Sequence, residues 1–197
     1  MPKGVQKDMK LIRVPADLVS KLSEASNREG KPFFNYIIEA LEQAVRAHEL
    51  DGSLKEIVDF YNLMMIQKDA GLVITPSETL NKLIEKLYPK EKDLLHEIWF
   101  ESGKWFGKYL LVKVKDEDSV KMFGEILRAV SWNLKDVEFK KGADTVTFKC
   151  ISFTLSLENT VLLMKFIEGA MSTLGYETVS QEYLRGMIDM EFRKAEK

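Results

Sequence analysis

Residues 10 to 14, near the start of the chain, have a pattern in which successive side chains would point to opposite faces of a strand. Ile12 and Val14 would therefore lie on one face of a strand, and Leu11 and Arg13 on the other. Pro15 follows, and its fixed φ angle ends the strand and leads into a helix. The alternation predicts a short strand before this proline.

After Pro15 the period lengthens to three or four residues, as in amphipathic helices. Gly30 divides the stretch in two, because helices often end at a residue that tolerates a positive φ angle. Pro32 suits the first position of the next helix. The apolar positions are Leu18, Leu22 and Ala25 before the glycine, and Tyr36, Ile37, Ala40, Leu41, Ala44 and Val45 after it.

One strand and two short helices form a unit too small to bury its own apolar face. The strand would also have an unpaired edge. A second copy related by a twofold axis would solve both problems, because the two strands could pair and four helices could close over them. The sequence therefore predicts a homodimer, and such dimers could pair into tetramers.

Residues 9 to 50 resemble the ribbon-helix-helix family of transcription factors. The matching residues run from Ile12 to Leu22, then Gly30, then Tyr36-Ile37-Ile38-Glu39-Ala40-Leu41. The resemblance implies a dimer whose two-stranded ribbon lies in the major groove of double-stranded DNA. It also implies that the start of the second helix holds a phosphate. The residues expected at DNA are Met9, Lys10, Leu11 and Arg13 on the ribbon, and Lys31 and Phe33 at the second helix.

Two features depart from the family pattern. Met9 and Leu11 are apolar where relatives usually carry polar groups, and apolar side chains give little hydrogen-bond readout of bases. Pro32 donates no amide hydrogen to a phosphate. These departures leave open a second interpretation, in which residues 9 to 50 only dimerise the chain.

The remaining residues, 51 to 197, predict a second domain. Ser53 with Glu56 has the pattern of a capping box, which predicts a helix start. Thr75-Pro76-Ser77-Glu78 predicts a second helix start, with Thr75 as the cap and Pro76 in the first position. Gly103 and Gly107, four residues apart, predict a groove where another element approaches closely. Helices are expected from about 53 to 70, 76 to 88, 90 to 111 and 159 to 174, and strands within 135 to 157 and 176 to 193. A further helix is expected from a cap at either Asp116 or Asp118 to about Ser131. The expected fold class is α+β, a ribbon-helix-helix followed by helices with an antiparallel sheet.

The second domain also resembles, faintly, the 4-vinyl-reductase-type small-molecule-binding domains. The residues that suggest it are His96 to Gly107 and Phe166 to Met171, with Leu174-Gly175-Tyr176. The resemblance implies an apolar pocket for a small ligand. Aromatic clusters are more often core than pocket, but such cavities are mostly apolar. The candidate pocket residues are Trp99, Phe100, Trp105, Phe106 and Trp132.

Composition and charge exclude several classes of function. The 197 residues carry a net charge of −2, so the whole protein is not a basic nucleic-acid coat. Two histidines and one cysteine are too few for a zinc site without carboxylates, so no metal or other cofactor is expected. No pair of acid and base can be singled out, and no catalytic residue is expected. The single Cys150 and the lack of a long apolar stretch favour a cytoplasmic protein that does not enter a membrane.

The sequence thus predicts a DNA-binding transcriptional regulator with residues 1–50 as the DNA-binding and dimerisation domain and 51–197 as a ligand-sensing or oligomerisation domain. An interaction or scaffold protein that only dimerises is the first alternative. An antitoxin is another, although antitoxins usually end in a short tail instead of a domain of this size. An enzyme has the least support.

Overall fold

The computed structural model describes residues 10–114, 118–131 and 133–196. The chain divides into two compact units, Met1–Val58 and Asp59–Lys197, with the boundary inside the third helix. The described residues form an α+β structure with six helices and a four-stranded antiparallel sheet.

The first unit contains α1 (Ala16–Arg28), α2 (Phe33–Glu49) and the start of α3 (Leu54–Asp69). Gly30 ends α1 with a φ angle of +66°, as its position predicts. The unit buries little in a single chain, since Ser26 and Ala47 are its only buried residues among those described.

The strand predicted before Pro15 is not formed in the residues that the structure describes there. Residues 10 to 14 belong to neither helix nor strand and are exposed, Leu11 at 96%. A strand satisfies its backbone groups only through a neighbour, and no described segment pairs with this one. Met9 lies outside the described residues. The ribbon-helix-helix and its dimer are thus not confirmed.

The capping box predicted at the start of α3 is confirmed. The backbone amide of Ser53 donates to Glu56 Oε2 at 2.7 Å, and the amide of Glu56 donates to Ser53 Oγ at 3.2 Å. These reciprocal bonds satisfy two amides that the first turn of a helix leaves free.

The second unit begins within α3 and continues into α4 (Ser77–Lys113), a single kinked helix where the sequence predicts two. Pro89 lies inside it, and Glu91 has non-helical angles, φ −123° and ψ 28°. The proline thus kinks the helix without ending it. The predicted cap by Thr75 is wrong, because Pro76 occupies the cap position and no side chain caps this end.

The helix α5 (Ser119–Val130) begins at a capping aspartate. Asp118 accepts hydrogen bonds from the amides of Val120 and Lys121, each at 3.1 Å. Its other carboxylate oxygen contacts the ammonium of Lys141. This confirms Asp118, one of two candidates in the sequence, as the cap of this helix.

Four antiparallel strands form the sheet, in the order β1-β2-β4-β3. Phe148 lies opposite Phe139 on one side and Met190 on the other. Inward side chains, including Phe148 and Phe192, meet Phe123 of α5 in one continuous core. The strands are β1 (Asp136–Lys141), β2 (Thr145–Ile151), β3 (Tyr176–Leu184) and β4 (Met187–Lys194).

The helix α6 (Leu157–Thr173) lies between β2 and β3 in the chain and packs closely on α4. A Cβ on Gly103 would collide with the carbonyl oxygen of Phe166, and one on Gly107 would lie 2.8 Å from that of Ala170. The close approach predicted at these two glycines is confirmed. It brings together the two segments that carry the second resemblance.

Candidate functional site

The second unit contains a cavity of about 710 Å³. This volume lies within the range of sites that hold small molecules. Its walls come from the end of α3, the loop to α4, the first turn of α4, the end of α5 and the start of α6. The lining residues are Met64, Gln67, Lys68, Leu72, Val73, Ile74, Thr75, Ser77, Leu80, Val130, Ser131, Asn133 and Asn159.

The loop between α3 and α4 forms the outer wall of the cavity. Gly71, with a φ angle of +77°, turns the chain out of α3, and the amide of Leu72 donates to the carbonyl of Gln67 at 3.1 Å. Val73 and Ile74 that follow are 84% and 70% exposed. The cavity therefore opens to solvent along an apolar loop.

The inner wall includes a buried amide, Asn159, which is 4% exposed. Its Nδ2 donates to Asn81 Oδ1 at 3.0 Å, and the same oxygen accepts the amide of Ser156 at 3.2 Å. Asn81 in turn donates to the carbonyl of Thr154 at 2.6 Å. These bonds fix the nitrogen side of Asn159, and no described group donates to its Oδ1. That oxygen is able to accept a hydrogen bond from an occupant of the cavity.

One charged side chain, Lys68, is among the described lining residues, and no carboxylate is. Lys68 forms no ion pair or hydrogen bond with another described residue. Its neighbour Asp69 is held by Lys113 at 2.9 Å. Hydrogen bonding to Asp69 and that carboxylate's charge raise the pKa of Lys113. The lining is therefore apolar with hydroxyl and amide groups and one positive charge.

The aromatic residues expected at a pocket pack elsewhere. Phe106 is buried against Phe123 and Phe166, with ring centroids 6.1 and 5.7 Å apart. The other described members also contact their own neighbours: Trp105 stacks on Tyr109, Phe100 lies under the ammonium of Lys104, and Trp99 packs beside Ile84, Leu95 and Leu162. Trp132 lies outside the described residues.

The sequence offered a weak signal for the residues that do line the cavity. The short apolar run Leu72 to Ile74, followed by Thr75-Pro76-Ser77, is an apolar loop where loops are usually polar. Lys68 and Asn159 gave no signal, because their proximity to one cavity depends on how α3 and α6 pack.

The described residues expected at DNA lie in separate local settings. Lys10, Leu11 and Arg13 lie in the exposed stretch before α1, and Phe33 is the first residue of α2. Lys31 is engaged by two carboxylates, Glu39 at 2.7 Å and Glu29 at 3.0 Å. Its hydrogen bonds to Glu39 and Glu29 raise the pKa of Lys31. In the single chain the ammonium of Lys31 is therefore paired with carboxylates within the protein.

The side chains of His96 and Cys150 are used in packing. Tyr88 and His96 share a hydrogen bond of 2.8 Å, next to the kink in α4. Burial, followed by the charges of Lys165 and Lys92, lowers the pKa of His96. Burial, followed by the charge of Asp136, raises the pKa of the Cys150 thiol to about 12.

Metal ligands do not cluster in the part of the chain that the structure describes. No three histidine, cysteine, aspartate or glutamate residues there are placed to hold an ion. Neither His48 nor His96 lines the cavity, so its described walls offer no imidazole to a metal centre. None of the described helices is apolar over enough length to cross a bilayer.

No protein-family model matches the chain, and no curated protein matches it. Two solved structures overlap with 73% of it. The first comes from work on modulating heme redox potential through protein-induced porphyrin distortion. It is 15% identical in sequence, the overlap includes 93% of its chain, and the TM-score is 0.39. The second comes from work on the function of heme distortion in the H-NOX family. It is 17% identical in sequence, the overlap includes 90% of its chain, and the TM-score is 0.40. At these scores the overlap assigns neither heme nor a reaction to this chain.

The DNA-binding regulator expected from the sequence is contradicted. Neither of the two solved structures named above is described as a DNA-binding regulator. The described residues of the expected DNA-reading strand, 10 to 14, do not form a strand. The scaffold and antitoxin alternatives gain no support from these findings.

Proposed function

We propose that the unit Asp59–Lys197 is a small-molecule-binding domain and that its ligand occupies the cavity beside the α3–α4 loop. The observation that carries this proposal is the apolar-walled cavity with the buried, half-paired amide of Asn159 in its inner wall. Binding pockets combine apolar walls with a few placed polar groups. A sensing role would require that the ligand bind two arrangements of the protein with different affinity.

The apolar loop supports the same proposal. Val73 and Ile74 expose large aliphatic side chains at the cavity. An apolar ligand would remove part of that surface from water, which is favourable. We expect ligand binding to protect this loop from solvent, which hydrogen exchange of residues 72 to 75 would measure.

The experiment uses the full chain and the neutral, environment-sensitive dye Nile red as probe. Saturable binding with a blue-shifted emission is expected for the wild type. Ser77→Trp fills the cavity from the first turn of α4 and should abolish that binding. Thr79→Trp is the matched control, because Thr79 is exposed on the same turn and does not line the cavity.

Equal binding by the wild type and Ser77→Trp would contradict the proposal, since the dye would then bind elsewhere. Absence of any saturable binding by the wild type would also contradict it. Circular dichroism of both tryptophan variants establishes that they are folded.

We propose, separately, that the unit Met1–Val58 associates with a second copy of itself. The observation that favours this is how little of the described part the single chain buries. Exposed apolar surface of this kind usually marks an interface. The exposed side chains include Leu18, Phe34, Ile38, Leu41 and Val45.

Sedimentation velocity over a range of protein concentrations tests the association. A dimer is expected for the wild type, and Leu41→Glu with Val45→Glu should shift it to monomer. Leu83→Glu, an exposed leucine of α4, is the control that should leave the dimer intact. A monomeric wild type at all concentrations would overturn the proposal.

A further inference from the structure

We infer that the cavity beside the α3–α4 loop is selective for ligands with an apolar body and a carboxylate, and that Lys68 is the residue that binds the carboxylate. This inference rests on the proposed function, because it names the chemical class of the ligand for the same cavity. Four features of the described lining carry it.

The first feature is charge. Lys68 is the one ionised side chain among the described lining residues. Its ammonium has no partner among the described residues, whereas the neighbouring Asp69 is neutralised by Lys113 at 2.9 Å. A carboxylate in the cavity would gain a charge-assisted hydrogen bond from Lys68 without facing a free acidic group in the described walls.

The second feature is the end of α4 that lines the cavity. Ser77 is the first residue of this helix, and Pro76 in the cap position provides no side-chain acceptor for the first amides. Uncapped amides and the helix dipole together favour an anion at a helix N-terminus. Glu78 in the same turn does not line the cavity, and its carboxylate is paired with Lys82 at 2.6 Å. The start of α4 thus adds positive potential to the cavity. In the chain it follows the α3–α4 loop, whereas Lys68 precedes that loop.

The third feature is the supply of neutral hydrogen-bond donors. Gln67, Thr75 and Asn133 line the cavity with amide and hydroxyl groups. A carboxylate has two oxygens with several acceptor positions, and one lysine satisfies only part of them. Neutral donors nearby can complete the set. The carboxylate would lie away from Asn159 Oδ1, because both groups only accept hydrogen bonds.

The fourth feature is the apolar wall, which selects the rest of the ligand. The aliphatic and thioether side chains there give no hydrogen bonds and favour a hydrocarbon body. A small, fully hydrated anion such as acetate would gain little from them. The apolar lining residues are Met64, Leu72, Val73, Ile74, Leu80 and Val130.

The experiment compares decanoate with decan-1-ol, which have the same chain length and differ in the charged group. Both are titrated into the full-length protein at pH 7.5, below the micelle concentration of decanoate, by displacement of Nile red. Decanoate is expected to bind about tenfold more tightly than decan-1-ol at low salt. Its affinity should fall as salt is added, because screening weakens the interaction of exposed charges.

Three variants assign the effect to Lys68. Lys68→Gln should weaken decanoate binding by about fivefold and leave decan-1-ol unchanged, the size expected for a partly exposed ion pair. Lys68→Arg should restore decanoate binding. Lys86→Gln, an exposed lysine of α4 outside the cavity, is the matched control and should behave as the wild type.

The outcomes separate this inference from the proposed function. Equal affinity for the two probes, or decanoate binding unchanged in Lys68→Gln, would overturn the carboxylate selectivity. If decan-1-ol binding is still lost in Ser77→Trp, the small-molecule-binding function stands by itself. If neither probe binds the wild type, both proposals fail.

Discussion

Gly103 of α4 and Gly169 of α6 form a reciprocal contact, in which each glycine lies against the backbone of the other helix. A Cβ at Gly103 would collide with the carbonyl oxygen of Phe166, and a Cβ at Gly169 with that of Phe100. Glycine is thus required at both positions for the two helices to lie so close. The contact holds the C-terminal half of α6 beside α4, while the hydrogen bond from Asn159 to Asn81 holds the start of α6.

The first prediction concerns this contact. Gly103→Ala should lower the free energy of unfolding by about 1 to 3 kcal/mol, because the added methyl group overpacks a site whose neighbours are backbone atoms. Denaturant unfolding measures the change. Ser102→Ala, on the exposed side of the same helix, is the control and should have a much smaller effect. A neutral or stabilised Gly103→Ala variant would show that the helices can separate at little cost.

The second prediction concerns Thr160, a fully buried residue of α6. Its Oγ1 donates to the carbonyl of Ser156 at 2.7 Å and accepts the amide of Gly186 at 2.9 Å. Thr160→Val keeps the shape and leaves the Gly186 amide without this acceptor, which should cost about 1 to 3 kcal/mol. Thr160→Ser keeps the hydroxyl and should recover the cost of the lost hydrogen bond. Equal denaturation midpoints for Thr160→Val and the wild type would contradict the expected loss of stability.

The third prediction concerns the pH dependence at Asp118. Burial acts to raise the pKa of this carboxyl, but hydrogen bonds from Lys141 and from the amides of Lys121 and Val120 outweigh it and lower the pKa. The ionised Asp118 carboxylate therefore stabilises the folded state at pH values above the ordinary aspartate pKa. This stabilisation is lost as the pH falls through the lower pKa that Asp118 has in the folded protein.

The thermal midpoint should record that loss. Asp118→Ala should be less stable than wild type at pH 7, and the gap should close in acid as the wild-type carboxyl becomes protonated. Asp118→Asn keeps a capping side chain and loses the charge, so it should lie between them at pH 7. A gap between wild type and Asp118→Ala that is constant down to pH 2 would refute this explanation.

The fourth prediction concerns the Tyr88–His96 pair. Burial, followed by the charges of Lys165 and Lys92, lowers the pKa of His96, so the folded state favours the neutral ring, which shares a hydrogen bond with the Tyr88 hydroxyl. Because the unfolded chain binds the proton more readily, stability should fall as pH drops below the ordinary histidine value. His96→Gln should reduce the loss of thermal midpoint between pH 7 and 5.5.

A second variant checks the assignment of that effect. Tyr88→Phe removes the hydrogen bond but leaves the histidine in place, so it should lower stability at pH 7 and keep the acid-dependent loss. An NMR titration of the His96 ring should give a pKa below the ordinary value. A wild-type acid profile in His96→Gln would assign the loss to other groups.

Local features of the second unit could be predicted because their causes lie within a few residues. The alternation around Phe139 and Phe148 marked the strands, and an aspartate, Asp116 or Asp118, marked the start of α5. Gly175, with a φ angle of +87°, marked the end of α6. The Pro89 kink could not be told from a helix end, because packing on α6 decides whether a helix continues past a proline.

The ribbon strand shows the opposite case. Ile12 and Val14 are spaced to share one face of a strand. A strand exists only when a second backbone completes its hydrogen bonds, however, and no described segment does so. The aromatic residues near Phe106 show the same limit. Their composition suited both a core and a pocket, and packing placed the described members outside the cavity.

The sequence by itself determined the local elements of this protein: the capping box at Ser53, an aspartate cap before α5, the glycine-ended helices and the α+β class. Each depends on interactions between residues close together in the chain. Only the tertiary structure decided the cavity, which joins Lys68 to Asn159 across a long stretch of sequence. Its position follows from how α3, α4, α5 and α6 pack, and such contacts between distant residues leave no fixed spacing in the chain.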